Sequence, residues 1–384
     1  MKVSASQYYS YRIMERPDEF NPLIHGKRLF QKFLCDMGAK IEFRRVNYFK
    51  TDQFKKRRRT AQLSAYNDAY NKNMLKDSGK QKSYLSASFS GGPKNMKKRY
   101  LEAMSIVRAK GKPTLFITFT ANPKWREVRE NLREGQKPAD RPDIVTRVFE
   151  QKLKSLLSEL KGTVKKNGIF GKCIECLHVV EMQQRGLPHA HIALILENEV
   201  SVENPKNFKY YTTAELPDEI AQGRLYDIVY DRNMHMPCDG IAGHATKCLD
   251  ASTDTCTKRF PKPMHKEGIY NEDGFPEYRR RSPEDGSNSY VHGDDENVIT
   301  NAWVVPYNPY LTLRYDCHIN VEVVSTVVAV KYLYKYMCKG LDHGWTRIGE
   351  AEEDIDECKK YMDSRVIGPT MHVTSSLAEK VKTV

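Results

Sequence analysis

The chain has 384 residues, and its 62 lysines and arginines outnumber 49 acidic residues to give a formal charge of +13. This length predicts two or three domains with a substantial core, and the positive surplus favours a polyanionic partner such as nucleic acid. No stretch is apolar enough to span a membrane and the N-terminus shows no secretion signal, so we expect neither a membrane protein nor an exported one. Nine cysteines in such a chain predict thiols or metal ligands in a reducing compartment.

Residues 1–110 predict a basic and mostly helical N-terminal region. Its densest cationic run is Lys55–Arg59, which is typical of a phosphate contact or a nuclear address, although a solvated helix face has the same composition. Ser88–Pro93 predicts a turn, and the apolar spacing over Met96–Val107 predicts a helix after it.

Residues 111–200 predict the first part of an α+β core. Thr114–Thr120 is β-branched and aromatic, which predicts a buried strand, and the apolar spacing over Asp143–Leu160 predicts a helix. A hairpin is expected at about 172–196, with its connection centred near Arg185.

Within that hairpin, His189 and His191 stand two residues apart at the start of an apolar run. Side chains two apart in a strand project from the same face, so both imidazoles are expected to point together. A turn near Arg185 places Glu181 opposite His189, at a Cβ separation of roughly 5 Å. Two imidazoles and a carboxylate suit a divalent cation with open positions for water or substrate. A surface hairpin carrying unrelated polar residues is the alternative.

Residues 301–345 predict the second part of the core, and 346–384 a tail. Apolar residues alternate in His318–Val324, which predicts a strand. Ser325 is a suitable N-cap for a helix over Thr326–Lys339, which a glycine follows, although the valines there also allow a strand.

Tyr332 and Tyr336 are four residues apart and therefore share a face of that helix. The flanking lysines, which we expect to contact DNA, are Lys331, Lys335 and Lys339. A tyrosine pair at this spacing is most often core packing. A phenol with a pKa of about 10 becomes a usable nucleophile, however, when a cation activates its electrophile. A metal on the hairpin would polarise a phosphodiester in this way, so the two tyrosines are candidate nucleophiles.

These motifs, in this order, resemble those of HUH-family rolling-circle nucleases. They are also similar to the replication-initiator-like part of Helitron transposases, the Helitron helicase-like domain. The segments that carry the resemblance are Gln7–Tyr9, Gly26–Phe30, Phe116–Trp125, Arg185–His191, Val305–Pro309, His318–Glu322 and Lys331–Tyr336. It implies an HUH-nuclease-like central antiparallel sheet flanked by helices. It also implies Mg²⁺ or Mn²⁺ on His189 and His191, with an upstream acidic residue as the third ligand. Glu181 fits that role by its position, although the family pattern fixes it less firmly than the histidines.

Residues 201–300 are polar and turn-rich and predict an insertion. Three cysteines that resemble a segment of the Helitron domain cluster there: Cys238, Cys248 and Cys256. With His235 or His244 they would complete a tetrahedral structural Zn²⁺ site, and a free-thiol loop is the alternative. Cys173 and Cys176 form a CxxC pair elsewhere, which we interpret as ordinary strand residues.

The resemblance implies a rolling-circle transposase-type endonuclease and strand transferase that forms a 5′-phosphotyrosine with single-stranded DNA in the nucleus. The resemblance also implies a helicase, in cis or in trans, but no GxxxxGK[ST] phosphate loop occurs in this sequence. Asn122 and Trp125 would lie near the DNA, with Trp125 stacking on bases. A turn residue before Pro123 is the alternative for Asn122.

Two other functions remain open at this stage. One is a catalytically silent DNA-binding remnant of a Helitron element, and the other is a metal-dependent hydrolase that uses water. The likeness weakens after Gly340, which favours a truncated copy or a fragment of a gene.

Overall fold

The computed structural model of the chain describes residues 3–51, 85–182, 187–197, 201–235, 248–250, 252–253, 255–292 and 297–325, with 358, 361–362, 368–370 and 373. Its described helices are α1 (Ala5–Arg12), α2 (Pro22–His25), α3 (Arg28–Lys50), α4 (Pro93–Lys110), α5 (Arg126–Arg129), α6 (Pro142–Lys161), α7 (Gly223–Arg232) and α8 (Pro309–Tyr315). Its described strands are β1 (Leu115–Thr120), β2 (Cys173–Met182), β3 (Pro188–Leu196), β4 (Ile269–Tyr270), β5 (Pro276–Glu277), β6 (Tyr290–His292), β7 (Asn297–Ile299) and β8 (Ile319–Val323).

The described part of the chain is built around a four-stranded sheet in the order β2-β3-β1-β8, with every neighbouring pair antiparallel. β1 lies inside this sheet, where its β-branched and aromatic residues suit a pleated surface covered on both sides. The strands predicted over Thr114–Thr120 and His318–Val324 and the hairpin at 172–196 are confirmed. The architecture is therefore mixed α+β, with helices beside an antiparallel sheet.

One face of the sheet packs against α6 and forms the main core. Phe149, Leu153 and Leu156 of α6 recur at helical spacing and are 1%, 5% and 0% exposed. They meet inward-facing residues of β1 such as Ile117 and Phe119. Each fully buried side chain of this size contributes about 1.5–3 kcal/mol. The packing of this apolar layer holds the predicted helix, α6, against one particular face of the sheet.

The opposite face of the sheet is polar over much of its area. α4 covers one end of it, where Met104 and Val107 pack against Phe116. Because strand side chains alternate between the two faces, His189 and His191 both point away from the α6 layer. The sheet therefore separates an apolar core from a polar surface on which functional groups converge.

The described helices within the first 110 residues are α1, α2, α3 and α4, and the predicted extent of an N-terminal region stays a prediction. α1, α2 and α3 pack around a small apolar cluster that includes Phe30. Ion pairs join this cluster to the core, because Glu15 contacts both Arg133 and Arg141. Arg141 is buried and also pairs with Asp143 at 2.9 Å, at the start of α6.

Helices α7 and α8 were not expected from the sequence. α7 buries Leu225, Ile228 and Val229, whose spacing of three and four residues presents one apolar stripe. α8 begins after Asn308, whose side chain accepts a hydrogen bond from the Leu311 N–H. Both helices are short, and the polar, turn-rich sequence around them obscured their signals.

Glu215 forms hydrogen bonds with arginines more than 60 residues away in sequence. Its side chain is 8% exposed and accepts hydrogen bonds from Arg279 at 2.8 Å and from Arg281 at 2.8 and 3.0 Å. Between them in sequence, the buried Arg280 donates to the Asn301 carbonyl oxygen at 2.6 Å. Burial raises the pKa of Glu215, but the hydrogen bonds from Arg281 and the charge of Arg279 outweigh it, so the pKa lies below its ordinary value.

Some sequence predictions lie outside the described residues, namely the cationic run Lys55–Arg59 and the helix or strand over Thr326–Lys339. Cys173 and Cys176 are free thiols in β2 that pack against the core, as ordinary strand residues do. Among the described helices, none combines the length and the apolar character needed to cross a bilayer.

Replacing Glu215 by glutamine (E215Q) keeps its shape and removes the carboxylate that two arginines share. We expect the free energy of unfolding at pH 7, measured with urea, to fall by about 1–3 kcal/mol. Folding lowers the pKa of Glu215. The ionised side chain therefore adds to the free energy of unfolding above the unfolded pKa of about 4.3, and this stabilisation is lost as pH falls through the folded pKa. E215Q should therefore lose less stability than the wild type on acidification. The exposed Glu272 supplies the control E272Q, and equal stability of the two variants would contradict the prediction.

Candidate metal centres

Among the described residues, two groups of metal-ligating side chains converge, and the ligand atoms in each lie within 4.8 Å of one another. They are Glu181 with His189 and His191, and His235 with Cys248 and Cys256. We call the first the sheet triad and the second the His-Cys cluster. The sheet triad lies on the polar face of the central sheet, and the His-Cys cluster lies in the segment between α7 and β4.

The hairpin of β2 and β3 positions the sheet triad. Its register pairs Glu181 with His189 and Val179 with His191, which confirms the predicted alignment. Directly paired residues of antiparallel strands face the same side, as do residues two apart in one strand. All three side chains therefore project from one face.

The two imidazoles of the sheet triad meet edge to face, with ring centroids 4.7 Å apart and their Nε2 atoms 3.1 Å apart. Oε2 of Glu181 lies 3.8 Å from Nε2 of His189 and 3.9 Å from Nε2 of His191. The three side chains are 12%, 12% and 9% exposed, in chain order. A carboxylate so largely removed from water is stabilised by a nearby positive charge, which a cation would supply.

These separations fit a divalent cation. Two ligand atoms bonded at about 2.1 Å and at a right angle stand about 3.0 Å apart, close to the 3.1 Å between the two Nε2 atoms. The Glu181 oxygen is almost equally distant from both nitrogens, so a small rotation of this side chain would bring it into the same coordination sphere. A mixed imidazole and carboxylate set accepts several divalent cations.

Residues of the neighbouring strand β1 contact the His191 ring and limit its rotation. Thr118 is its register partner on β1, with Oγ1 3.2 Å from His191 Nδ1, and Phe116 stacks on the same ring at a centroid distance of 5.4 Å. When Nε2 is a metal ligand, Nδ1 carries the proton and donates a hydrogen bond to Thr118 Oγ1, which holds the ring in this orientation. On β8, Asn320 pairs with Thr118 and donates from Nδ2 to Glu322 Oε1 at 3.0 Å.

Thr118 and Asn320 were not identified from the sequence as part of this site. The signal lay in the alternation of their strands, since Thr118 stands two residues after Phe116 and Asn320 two before Glu322. Alternation shows that such residues share a face, but only the register between strands shows which histidine they meet.

Several predicted site residues lie outside the described part of the chain. They are Tyr332, Tyr336, Lys331, Lys335, Lys339, Cys238 and His244.

The two predicted DNA contacts that the structure describes, Asn122 and Trp125, are both buried at 2% exposure. Asn122 donates to the Asp316 carbonyl oxygen at 2.7 Å and accepts from the Lys124 N–H at 2.8 Å. Nε1 of Trp125 donates to the Tyr315 carbonyl oxygen at 2.7 Å. A base cannot stack on a buried ring, so the prediction for Trp125 is wrong. Asn122 is a turn residue, as the alternative proposed.

A short antiparallel contact brings the two described cysteines of the His-Cys cluster together. The Thr257 N–H donates to the Cys248 carbonyl oxygen at 2.7 Å, beside a bridge at Cys256. Nε2 of His235 lies 3.6 Å from Sγ of Cys248 and 3.4 Å from Sγ of Cys256. Tetrahedral zinc with bonds of about 2.3 Å to sulfur and about 2.0 Å to nitrogen places these atoms about 3.5 Å apart. The cluster therefore has the spacing of a zinc site.

The environment of His235 suits a metal ligand. Its ring stacks on Phe260 at a centroid distance of 4.3 Å. Burial, followed by the charges of Lys258 and Lys262, lowers its pKa, so the imidazole is neutral at pH 7. Metal binding requires this neutral form. The Lys258 N–H also donates to Sγ of Cys256 at 3.4 Å, a contact that stabilises thiolate charge.

Residues 8–194 match the Helitron helicase-like domain at the N-terminus. The matched span contains β1, β2 and most of β3, and so all three residues of the sheet triad. No curated protein matches the chain. The match covers just under half of the chain and supports a Helitron-related protein, and it confirms the likeness to the Helitron helicase-like domain for the motifs within residues 8–194. The likeness to HUH nucleases stays a prediction.

Replacing Thr118 by valine (T118V) removes the hydroxyl that faces His191 Nδ1 and keeps the β-branched shape. We expect the affinity for Mn²⁺, measured by isothermal titration calorimetry, to fall about 10-fold, because such supporting hydrogen bonds orient metal-bound histidines. The exposed Thr163, in the turn after α6, supplies the control T163V, whose affinity should change less than about twofold. Equal losses in the two variants would show that the hydrogen bond does not support the ligand.

Proposed function

We propose that this protein is a metal-dependent HUH-type endonuclease and strand transferase that acts on single-stranded DNA, as in rolling-circle transposition. The observation that carries the proposal is the convergence of Glu181, His189 and His191 on the polar face of an antiparallel sheet. The supporting comparison is the match of residues 8–194 to the Helitron helicase-like domain. An HUH-nuclease-like arrangement of the sheet is part of the same proposal.

The sheet triad would hold the cation, Mg²⁺ or Mn²⁺. When bound there, the cation supplies polarisation of the scissile phosphate and neutralisation of the charge that develops on it. By accepting a hydrogen bond from Nδ1 of His191, Thr118 would favour the tautomer whose Nε2 lone pair points into the triad. The low exposure of Glu181 and both histidines limits competition from water for the ligand positions.

In this proposal Tyr332 or Tyr336, carried over from the resemblance, supplies the nucleophile. The phenolic oxygen loses its proton and forms a bond to phosphorus, while the bond between phosphorus and the 3′ oxygen breaks. The departing oxygen takes up a proton and becomes a 3′-OH, and the DNA 5′ end is left as a phosphotyrosine. No water is consumed, so a later 3′-OH can attack the phosphotyrosine and rejoin a strand.

The proposal also covers the DNA contacts, the partner helicase and the cellular location. The excess of lysine and arginine suits binding to the phosphate backbone, and Lys331, Lys335 and Lys339 would contact DNA beside the nucleophiles. Strand separation is assigned to a helicase in cis or in trans. A chromosomal substrate and the cationic run Lys55–Arg59 favour a nuclear location.

Incubation of the protein with labelled single-stranded DNA and Mn²⁺ should give a covalent adduct that survives denaturing electrophoresis. The double variant Y332F/Y336F should give none, because it lacks the attacking oxygens. H191A should lower the adduct yield by about 100-fold or more, since the phosphate then loses its electrostatic activation. The exposed Tyr310 supplies the matched control Y310F, which should react like the wild type.

The outcome separates the alternatives. Cleavage that persists in Y332F/Y336F without an adduct would identify a hydrolase that uses water. Binding of DNA without cleavage or adduct, in any divalent cation, would identify a silent DNA-binding protein. Either result would contradict the proposal.

We also propose that the His-Cys cluster binds a structural Zn²⁺. The observation that carries this proposal is the pair of sulfur to nitrogen distances, 3.6 and 3.4 Å, beside the about 3.5 Å of tetrahedral zinc. Three ligands are described, and Cys238 is the residue that the sequence offers as the fourth. The cluster would close the segment between α7 and β4 without a disulfide.

Purified protein should contain about one zinc per chain by inductively coupled plasma mass spectrometry. C256S should lose this zinc and melt at a lower temperature, because metal binding contributes to folding. Cys35, a half-buried thiol on α3, supplies the matched control C35S, which should retain the metal. Metal-free wild-type protein after expression in zinc-supplemented medium would support the free-thiol alternative instead.

A further inference from the structure

The loop Cys256–Lys262, which we call the basic loop, follows directly on the His-Cys cluster. Its first residue is buried, whereas Lys258 and Arg259 are exposed. The Arg259 N–H donates to the Cys256 carbonyl oxygen at 2.7 Å, and the Lys262 N–H donates to the Ala302 carbonyl oxygen at 2.9 Å. Both ends of the loop are therefore anchored, so its cationic side chains project from a fixed backbone.

The cations of the basic loop are in direct contact with no carboxylate among the described residues. Within the described residues, none of Lys258, Arg259 and Lys262 forms an ion pair, whereas Lys266 nearby pairs with Asp285 at 2.8 Å. Nζ of Lys262 instead donates to the Lys258 carbonyl oxygen at 2.9 Å. Three positive charges within five residues repel one another, and a bound polyanion would relieve that repulsion.

Aromatic rings stiffen the basic loop from one side. Phe260 stacks on His235 and carries the ammonium of Lys262 over its ring at 5.1 Å. Trp303 lies nearly parallel to Phe260 at a centroid distance of 6.4 Å. A loop fixed by packing against His235 and Trp303 loses little entropy when it binds a ligand.

The basic loop lies beside the edge of β8. The Lys262 N–H bonds to the Ala302 carbonyl oxygen, and the Val321 N–H of β8 donates to the Pro306 carbonyl oxygen at 3.1 Å, so the short segment 302–306 joins the loop to this strand. Burial and the charge of Arg280 lower the pKa of Lys262, and the charge of Glu322 on β8 opposes this shift. Glu322 shares the face of β8 with Asn320, and Asn320 is the register partner of Thr118 beside His191. Adjacent strands are about 4.8 Å apart, so β8 and β3 are about 10 Å apart across this face.

We propose that the basic loop is a second phosphate-binding subsite, which holds the backbone of single-stranded DNA beyond the edge of β8 while the sheet triad holds the scissile phosphate. The occupant is the DNA strand itself, outside the bond that is cut. This inference rests on the proposed nuclease function for its substrate. It adds a specific pair of contacts, Lys258 and Arg259, that position the strand.

The test compares K258Q/R259Q with the charge-matched control K165Q/K166Q, whose lysines are exposed in the turn between α6 and β2. Affinity for a fluorescent single-stranded oligonucleotide is measured by anisotropy at several salt concentrations. Two lost phosphate contacts should lower the slope of log affinity against log salt by about 1.4. At low salt the affinity should fall about 10-fold, and the control should change neither quantity.

Circular dichroism and zinc content establish that both variants fold and retain metal. Equal salt slopes for the two variants would overturn the subsite, whether or not the protein cuts DNA. Adduct formation on a short oligonucleotide that carries only the scissile region is measured in parallel. An adduct with unchanged salt slopes rejects the subsite alone, whereas a changed slope without any adduct supports the subsite and rejects the nuclease proposal.

Discussion

The antiparallel register of β2, β3 and β1 is the constraint on which the rest of the structure depends. A shift of one residue in β3 would turn His189 and His191 into the apolar layer under α6 and bring Ala190 and Ile192 out to the polar face. That arrangement would bury two imidazoles among apolar side chains and expose residues that are now fully buried. The hydrophobic packing that stabilises the fold therefore also determines where the candidate metal ligands lie.

The same sheet connects the two metal-ligand groups. Across its polar face, the side chains run from the sheet triad through Thr118 to Asn320 and Glu322 on β8. On the far side of β8, Asn233 is buried and donates to the Ile319 carbonyl oxygen at 2.9 Å, two residues before His235. The His-Cys cluster is thus attached to an edge strand of the sheet rather than to an independent unit. A structural metal there would stiffen the border of the surface on which the DNA is proposed to lie.

The sequence predicted the central elements because their signals are local. Alternation and β-branched residues identified the strands, and the position of the turn was enough to place Glu181 opposite His189. The environment of Trp125 was not predictable in this way, because its burial depends on the Tyr315 carbonyl oxygen, 190 residues away in sequence. The contact of Thr118 with His191 depends in turn on the pairing of strands 73 residues apart. The burial of Trp125 and the contact of Thr118 with His191 both result from long-range packing, which no local sequence pattern encodes.

The central claim is that Glu181, His189 and His191 together bind one divalent cation. The most direct measurement is the anomalous diffraction of a crystal of the protein grown with Mn²⁺. We expect an anomalous peak within about 2.3 Å of both Nε2 atoms and of a Glu181 carboxylate oxygen. Occupancy of a different site, with Nε2 of His189 and His191 still in direct contact with each other, would contradict it.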